Sequence, residues 1–276
     1  WSRQRFVAEL PALADALRVI SITLVTLFVG LQIRNAFHPD DLRALHIGLF
    51  ECATYGLAWV ALGFFLTVIA PRCTLPRITA QTGRTVFGVG LATLLLGNAV
   101  VLNPLWFREA VGSLPVINGL WVLFGPTILI LALLAHKARQ QQRKPLARLA
   151  GYLAIALAFM LLSMVVRHGF SGDGIVVNTS NLASAERYAY SLAWVLFGGG
   201  LLIAGVFTRL DTLRYGSLAV LLLAIGKVFL IDTANLDHLY RVFSYFGLGV
   251  TLIGLGYLYQ SLVFKRTNQH DDTQSL

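Results

Sequence analysis

The sequence predicts an all-α polytopic membrane protein of about eight transmembrane helices, arranged as two parallel four-helix repeats. Three observations lead there. The 276 residues are 57% hydrophobic and 13% charged, with a mean hydropathy of +0.71, whereas a soluble domain carries about 25% charged residues. The apolar residues collect into long runs without the period-2 alternation of a membrane β-barrel. One segment is written twice, half a chain apart.

The runs are 19–33, 47–70, 86–101, 120–135, 149–166, 191–206, 218–231 and 246–264. Each approaches the roughly 20 apolar residues that cross a bilayer as a helix. Residues 1–15 read as an interfacial lead-in, with Phe6, Val7 and Leu10 apolar and Arg3, Arg5 and Glu9 polar. The first four-helix repeat then occupies 16–136, a basic linker 137–148, the second repeat 149–264 and a polar tail 265–276. The start at Trp1, with no initiator Met or signal pattern, reads as a fragment or processed form.

The doubled segment sets the repeat. Glu51-Cys-Ala-Thr-Tyr55-Gly-Leu-Ala-Trp59-Val60-Ala-Leu-Gly63 matches Glu186-Arg-Tyr-Ala-Tyr190-Ser-Leu-Ala-Trp194-Val195-Leu-Phe-Gly198 in the pattern E-x-x-x-Y-x-L-A-W-V-x-x-G. Upstream, Arg34-Asn-Ala-Phe37 matches Arg167-His-Gly-Phe170. Downstream, Arg84 and Arg214 each open an apolar run, which pairs Asn98 with Lys227 and Asn103 with Asp232. An even number of helices per unit gives both units the same orientation, related by an axis near the membrane normal.

The net charge of +9 is a topology signal. Basic residues crowd Arg3/Arg5, Arg72/Arg77/Arg84, Lys137 to Arg148, Arg209/Arg214 and Lys265/Arg266. The alternate loops hold Asp40, Asp41, Glu109, Asp173 and Asp237. The positive-inside rule places the basic loops, and both termini, in the cytoplasm. Nucleic acid is not an expected partner, because no soluble domain presents a groove. Cys52 and Cys73 lie about 30 Å apart along one helix at 1.5 Å per residue, too far for a disulfide. With no Cys/His cluster, no metal or cofactor is expected.

A resemblance enters at the second unit. Glu186-Arg-Tyr-Ala-Tyr-Ser-Leu-Ala-Trp194, Gly226-Lys-Val-Phe-Leu-Ile-Asp232 and Leu239-Tyr-Arg241-Val-Phe-Ser244, continuing to Tyr257-Leu-Tyr259-Gln260, resemble the C-terminal part of a bacterial predicted-membrane-protein family, domain of unknown function 2339. The resemblance implies a bacterial inner-membrane protein and supplies no activity. Its members are typically longer than this chain.

Ionisable groups inside spans are costly, and they usually face a cavity or a partner. The candidate ligand-binding residues are Arg34, Glu51, Arg167, Glu186, Lys227, Asp232 and Arg241, all toward the outer side in this topology. Arg34 with Glu51 and Arg167 with Glu186 each flank one outer loop, so each pair is equally able to close a helical hairpin. Lys227 and Asp232 are five residues apart, which is neither i±3 nor i±4, so the lysine needs a partner on another helix or an anionic ligand. His168 and His238 adjoin loops and read as exposed histidines. Gly198-Gly-Gly200 with Ala204 suggests close helix packing.

Three functional readings follow. The first is an inner-membrane protein whose periplasm-facing polar recess binds or translocates an anionic or lipid-linked envelope component. The second is a structural subunit that assembles an envelope complex with membrane-protein partners. The third is an intramembrane transferase or hydrolase using His168, His238 or an acid as base. Membrane lipids are partners in all three.

The charge asymmetry makes a direct prediction. In a background lacking the native cysteines, a cysteine at Ser171 should react with an impermeant thiol reagent on intact cells, and one at Gln141 should not. The opposite labelling pattern would invert the topology.

Overall fold

The computed structural model describes residues 2–40, 43, 45–69, 77–106, 118–171, 184–229 and 238–260, with side chains from Leu13 onward except 69, 77–78, 184, 238–245 and 258. These residues are mostly helical, with no strand among them. The helices are α1 (Ser2–Phe37), α2 (Leu49–Phe64), α3 (Arg77–Ala92), α4 (Gly119–Gln140), α5 (Lys144–Ser171), α6 (Ser184–Thr208), α7 (Asp211–Lys227) and α8 (His238–Tyr259). A π-helical turn, Phe65–Ile69, extends α2, and a longer π-helical stretch, Thr93–Val101, extends α3. Helices are the expected outcome in a bilayer, where each backbone polar group must be satisfied within its own segment.

Six of these helices are long and apolar enough to cross a membrane: Leu13–Phe37, Leu49–Val68, Thr79–Val101, Gly119–Gln140, Lys144–Ser171 and Ala185–Thr208. The chain is a multi-pass helical membrane protein. The sequence predicts eight spans, and the described residues meet the length and composition criterion six times. α7 is 17 residues long, and only Phe246–Tyr257 of α8 counts as a shorter apolar helix. α1 runs unbroken from Ser2 through Pro11, so the lead-in residues and the first span share one helix. The expected linker 137–148 is largely helical, leaving 141–143 between α4 and α5. Lys137 and Arg139 lie in the last turn of α4, where cations suit the helix dipole and let the helix continue beyond the apolar run.

The chain divides into two compact units, the first formed by 1–111 with 121–127, the second by 112–120 with 128–276. In the first, α2 and α3 pack as an antiparallel pair with their backbones in contact. The contact is made by glycines seven residues apart on each helix, Gly56 and Gly63 on α2, Gly83 and Gly90 on α3. A Cβ at Gly90 would lie 2.6 Å from the Val60 nitrogen and 2.8 Å from the Gly56 carbonyl oxygen. One at Gly63 would fall on the Phe87 backbone and 2.7 Å from the Gly83 carbonyl. In lipid, where apolar burial offers little drive, such close approach supplies the packing energy. α1 stays exposed: Leu13, Leu17, Leu24, Phe28 and Leu31 are each at least 56% accessible, as suits a lipid-facing helix.

The second unit packs α6 against α7 along a similar seven-residue stripe, Ser191, Gly198 and Gly205. A Cβ at Gly198 would meet Leu221 at 2.8 Å, and one at Gly205 would meet Arg214 at 3.0 Å. Gly198 therefore packs as expected, whereas Gly199 and Gly200 have no neighbour within 4 Å. α5 lies against both helices. Gly151 meets Thr212, Gly216 meets Ile155, and Phe159 stacks on Trp194 at 4.8 Å between ring centroids.

The glycine contact is testable. Gly63→Val should lower stability by about 1–3 kcal/mol or more through overpacking, while Gly88→Val, at an open position, should cost little. Thermal unfolding of the purified protein in detergent compares them, and equal losses would mean that the α2 and α3 backbones do not touch.

Candidate functional site

Among the described residues, each unit holds an arginine–glutamate pair with a buried carboxylate. In the first, Arg34 Nη1 on the last turn of α1 donates to Glu51 Oε1 on the first turn of α2 at 2.7 Å, and also to the His46 carbonyl at 3.1 Å. His38 Nε2 lies 3.1 Å from the other Glu51 oxygen. The Glu51 side chain is 1% exposed. In the second, Arg167 Nη1 on α5 donates to Glu186 Oε1 on the first turn of α6, again at 2.7 Å, with Glu186 almost fully buried. Both glutamates sit at helix N-termini, where the dipole favours an anion, and Arg34 sits at a C-terminus, where it favours a cation.

Lys227 joins the second pair. From the last turn of α7 its Nζ donates to the Arg187 carbonyl at 2.8 Å and to Ser191 Oγ at 2.7 Å. Arg187 follows Glu186 directly, so α5, α6 and α7 bring Arg167, Glu186 and Lys227 to one end of the second unit. Lys227 thus reaches α6 through a backbone carbonyl and a hydroxyl. Asp232 lies outside the described residues. Arg241 lies on α8, and its side chain is outside them too.

The chain belongs to the DUF2339 family of predicted membrane proteins. The family model matches residues 1–262. No curated protein and no solved structure matches the chain. Family membership thus agrees with the helical architecture and leaves the chemistry to the residues.

The downstream register of the sequence sets Lys227 opposite Asn98. Lys227 meets Ser191, whose counterpart in the doubled segment is Gly56, and Gly56 faces Leu94 and Gly90. Asn98 lies one turn farther along, beside Gly97, which abuts Cys52. His168, read as an exposed loop histidine, is 2% exposed because its face of α5 is the packed one, in line with Leu157, Leu161 and Met164.

Several residues escaped the sequence reading. His38 completes the Glu51 cluster, and its position four residues after Arg34 on the same helical face was the available signal. Asn98 is buried in the π-helical stretch, and neither side-chain polar atom has a hydrogen-bond partner. Trp194 Nε1 donates to Ser163 Oγ at 3.1 Å, while the buried Nε1 of Trp59 has no partner. The Arg34/Arg167 register explains that difference, because it sets Gly30, which has no hydroxyl, where the second unit has Ser163. At the other end of the second unit, Arg214 is 7% exposed and donates through Nε to the Gly205 carbonyl at 3.1 Å. Ser217 Oγ donates to the Arg214 carbonyl at 2.7 Å and lies 2.6 Å from the Tyr259 hydroxyl, tying α8 to α7. In the sequence Arg214 had counted toward the loop charge and the repeat register, not toward a buried contact.

Removing one member of a buried pair strands the other charge. Arg34→Met should therefore lower stability by about 3–5 kcal/mol, and Arg34→Met/Glu51→Leu should recover most of it. Melting temperatures of the two variants decide this. A single variant as stable as wild type would show that the pair contributes nothing.

Proposed function

We propose that this chain is a multi-pass protein of a bacterial inner membrane, with both ends of the segment cytoplasmic. In this reading two similar four-helix units each end in a polar cluster facing the periplasm. The cluster of the second unit forms a recess that binds or passes an anionic or lipid-linked envelope component. The doubled sequence and the matching 2.7 Å Arg–Glu pairs support the two-unit reading. The convergence of Arg167, Glu186 and Lys227 from three helices carries the functional reading, because a lysine and an arginine together can hold a phosphate or carboxylate. Asp232 and Arg241 belong to the same proposed recess by sequence position.

A specific observation favours the structural-subunit reading as the alternative. Arg34 and Arg167 already bond to glutamates, which suits clamps that hold helices for assembly. One experiment separates the two. For ligand binding, Lys227→Met should abolish complementation of a deletion strain while leaving membrane insertion and melting temperature near wild type. A helix clamp should instead lose both stability and function, by about 1–3 kcal/mol as the Arg187 carbonyl and Ser191 hydroxyl lose their donor. Restoration of both by adding Glu186→Gln would sink the ligand reading.

A further inference from the structure

A second polar site lies at the opposite end of the second unit. Arg167 is about 35 Å along α5 from Lys144, at 1.5 Å per residue. Around Lys144 the unit forms an open cavity of about 550 Å³ where the start of α5 and the α6–α7 turn meet the end of α4. Arg139, Lys144, Arg148 and Arg209 line it, and Asp211 is the one carboxylate among its lining residues. That carboxylate is 78% exposed and lies 3.8 Å from Arg214 Nη1. The positive charge in the cavity is therefore poorly balanced by the protein.

We propose that this cavity binds a phosphate-bearing anion, either a lipid headgroup or a soluble phosphate compound. Three further features fit that chemistry. Leu210 provides no side-chain cap for α7, so the first N–H groups of that helix, at Asp211 and Thr212, stand at the cavity without a cap. Amide groups at a helix N-terminus suit an anion. Arg139 is held in place by a hydrogen bond from Nη2 to Thr212 Oγ1 at 3.3 Å, which joins α4 to α7 across the cavity. Tyr152 and Tyr215, both partly exposed, also line it, and tyrosine is enriched at the headgroup level of a bilayer. Basic pockets between membrane helices on the cytoplasmic side suit anionic headgroups. The charge asymmetry of the sequence assigns this end to that side.

Arg209 supplies a clean variant. Its φ of 55° is left-handed, a conformation that glycine adopts without strain. Arg209→Gly removes the cation and keeps the turn, and Arg148→Gln changes an exposed position on α5. Delipidated protein in detergent would be titrated with phosphatidylglycerol, phosphatidylcholine and glycerol phosphate, with binding read by native mass spectrometry. Phosphatidylglycerol should bind more tightly than phosphatidylcholine. Each variant should weaken it about fivefold, and the pair should weaken it more than either alone. A control with the same charge loss at the same end, Lys137→Gln/Arg143→Gln, should retain wild-type affinity. Glycerol phosphate binding as tightly as the lipid would identify a soluble anion as the ligand, and much weaker binding would identify the headgroup. Wild-type affinity in Arg148→Gln/Arg209→Gly, or an equal loss in the control, would overturn the site and leave only diffuse attraction.

Discussion

A carboxylate buried in a membrane protein needs a cation within bonding distance, and that constraint organises one end of each unit. Glu51 and Glu186 are both nearly inaccessible. Each is reached by an arginine from the preceding helix at 2.7 Å. In the first unit this contact matters most, because α1 is exposed along its apolar length and buries little against its neighbours. Arg34 and His38, with Tyr55 lying against Gly30, tie its C-terminal turns to α2. A buried ion pair is weak evidence for net stability but strong evidence for register, since any other pairing leaves a charge unmet.

The two units solve helix packing differently around that shared element. α2 and α3 bring glycine against backbone at four positions. α6 and α7 set a stripe of small residues on one helix mainly against side chains on the other, with backbone approached only where Gly205 meets Arg214. Where α2 has Gly56, α6 has Ser191, and its hydroxyl receives Lys227. A polar partner thus stands at a place where the first unit has only close contact. The same replacement logic separates Trp194, bonded to Ser163, from Trp59, which has no hydroxyl to meet.

Polar groups in the second unit collect at both ends and differ in character. At one end Lys227, Arg167 and Glu186 are drawn into contacts with the protein itself. At the other, a buried network of Arg214, Ser217 and Tyr259 holds α6, α7 and α8 together, beside a cavity whose cations are mostly exposed. Basic residues counted together as loop charge therefore have two roles. Arg214 is structural, and Arg148 and Arg209 remain available to solvent or headgroups.

Composition and run length alone determined the class, since 57% apolar residues in long runs have no soluble alternative and a bilayer admits helices before anything else. The Arg34–Glu51 and Arg167–Glu186 pairings were also legible, because each couple flanks one loop and opposite charges near a membrane seek each other. The glycine contacts were present as seven-residue spacings, but spacing does not say which helix supplies the facing groove. The faces of residues beyond α3 were not readable, because the π-helical stretch Thr93–Val101 moves them around the helix without a sequence signature. Burial of His168 and Arg214 was equally hidden. Both look like ordinary polar residues near helix ends until tertiary packing decides which face of α5 and α7 is covered.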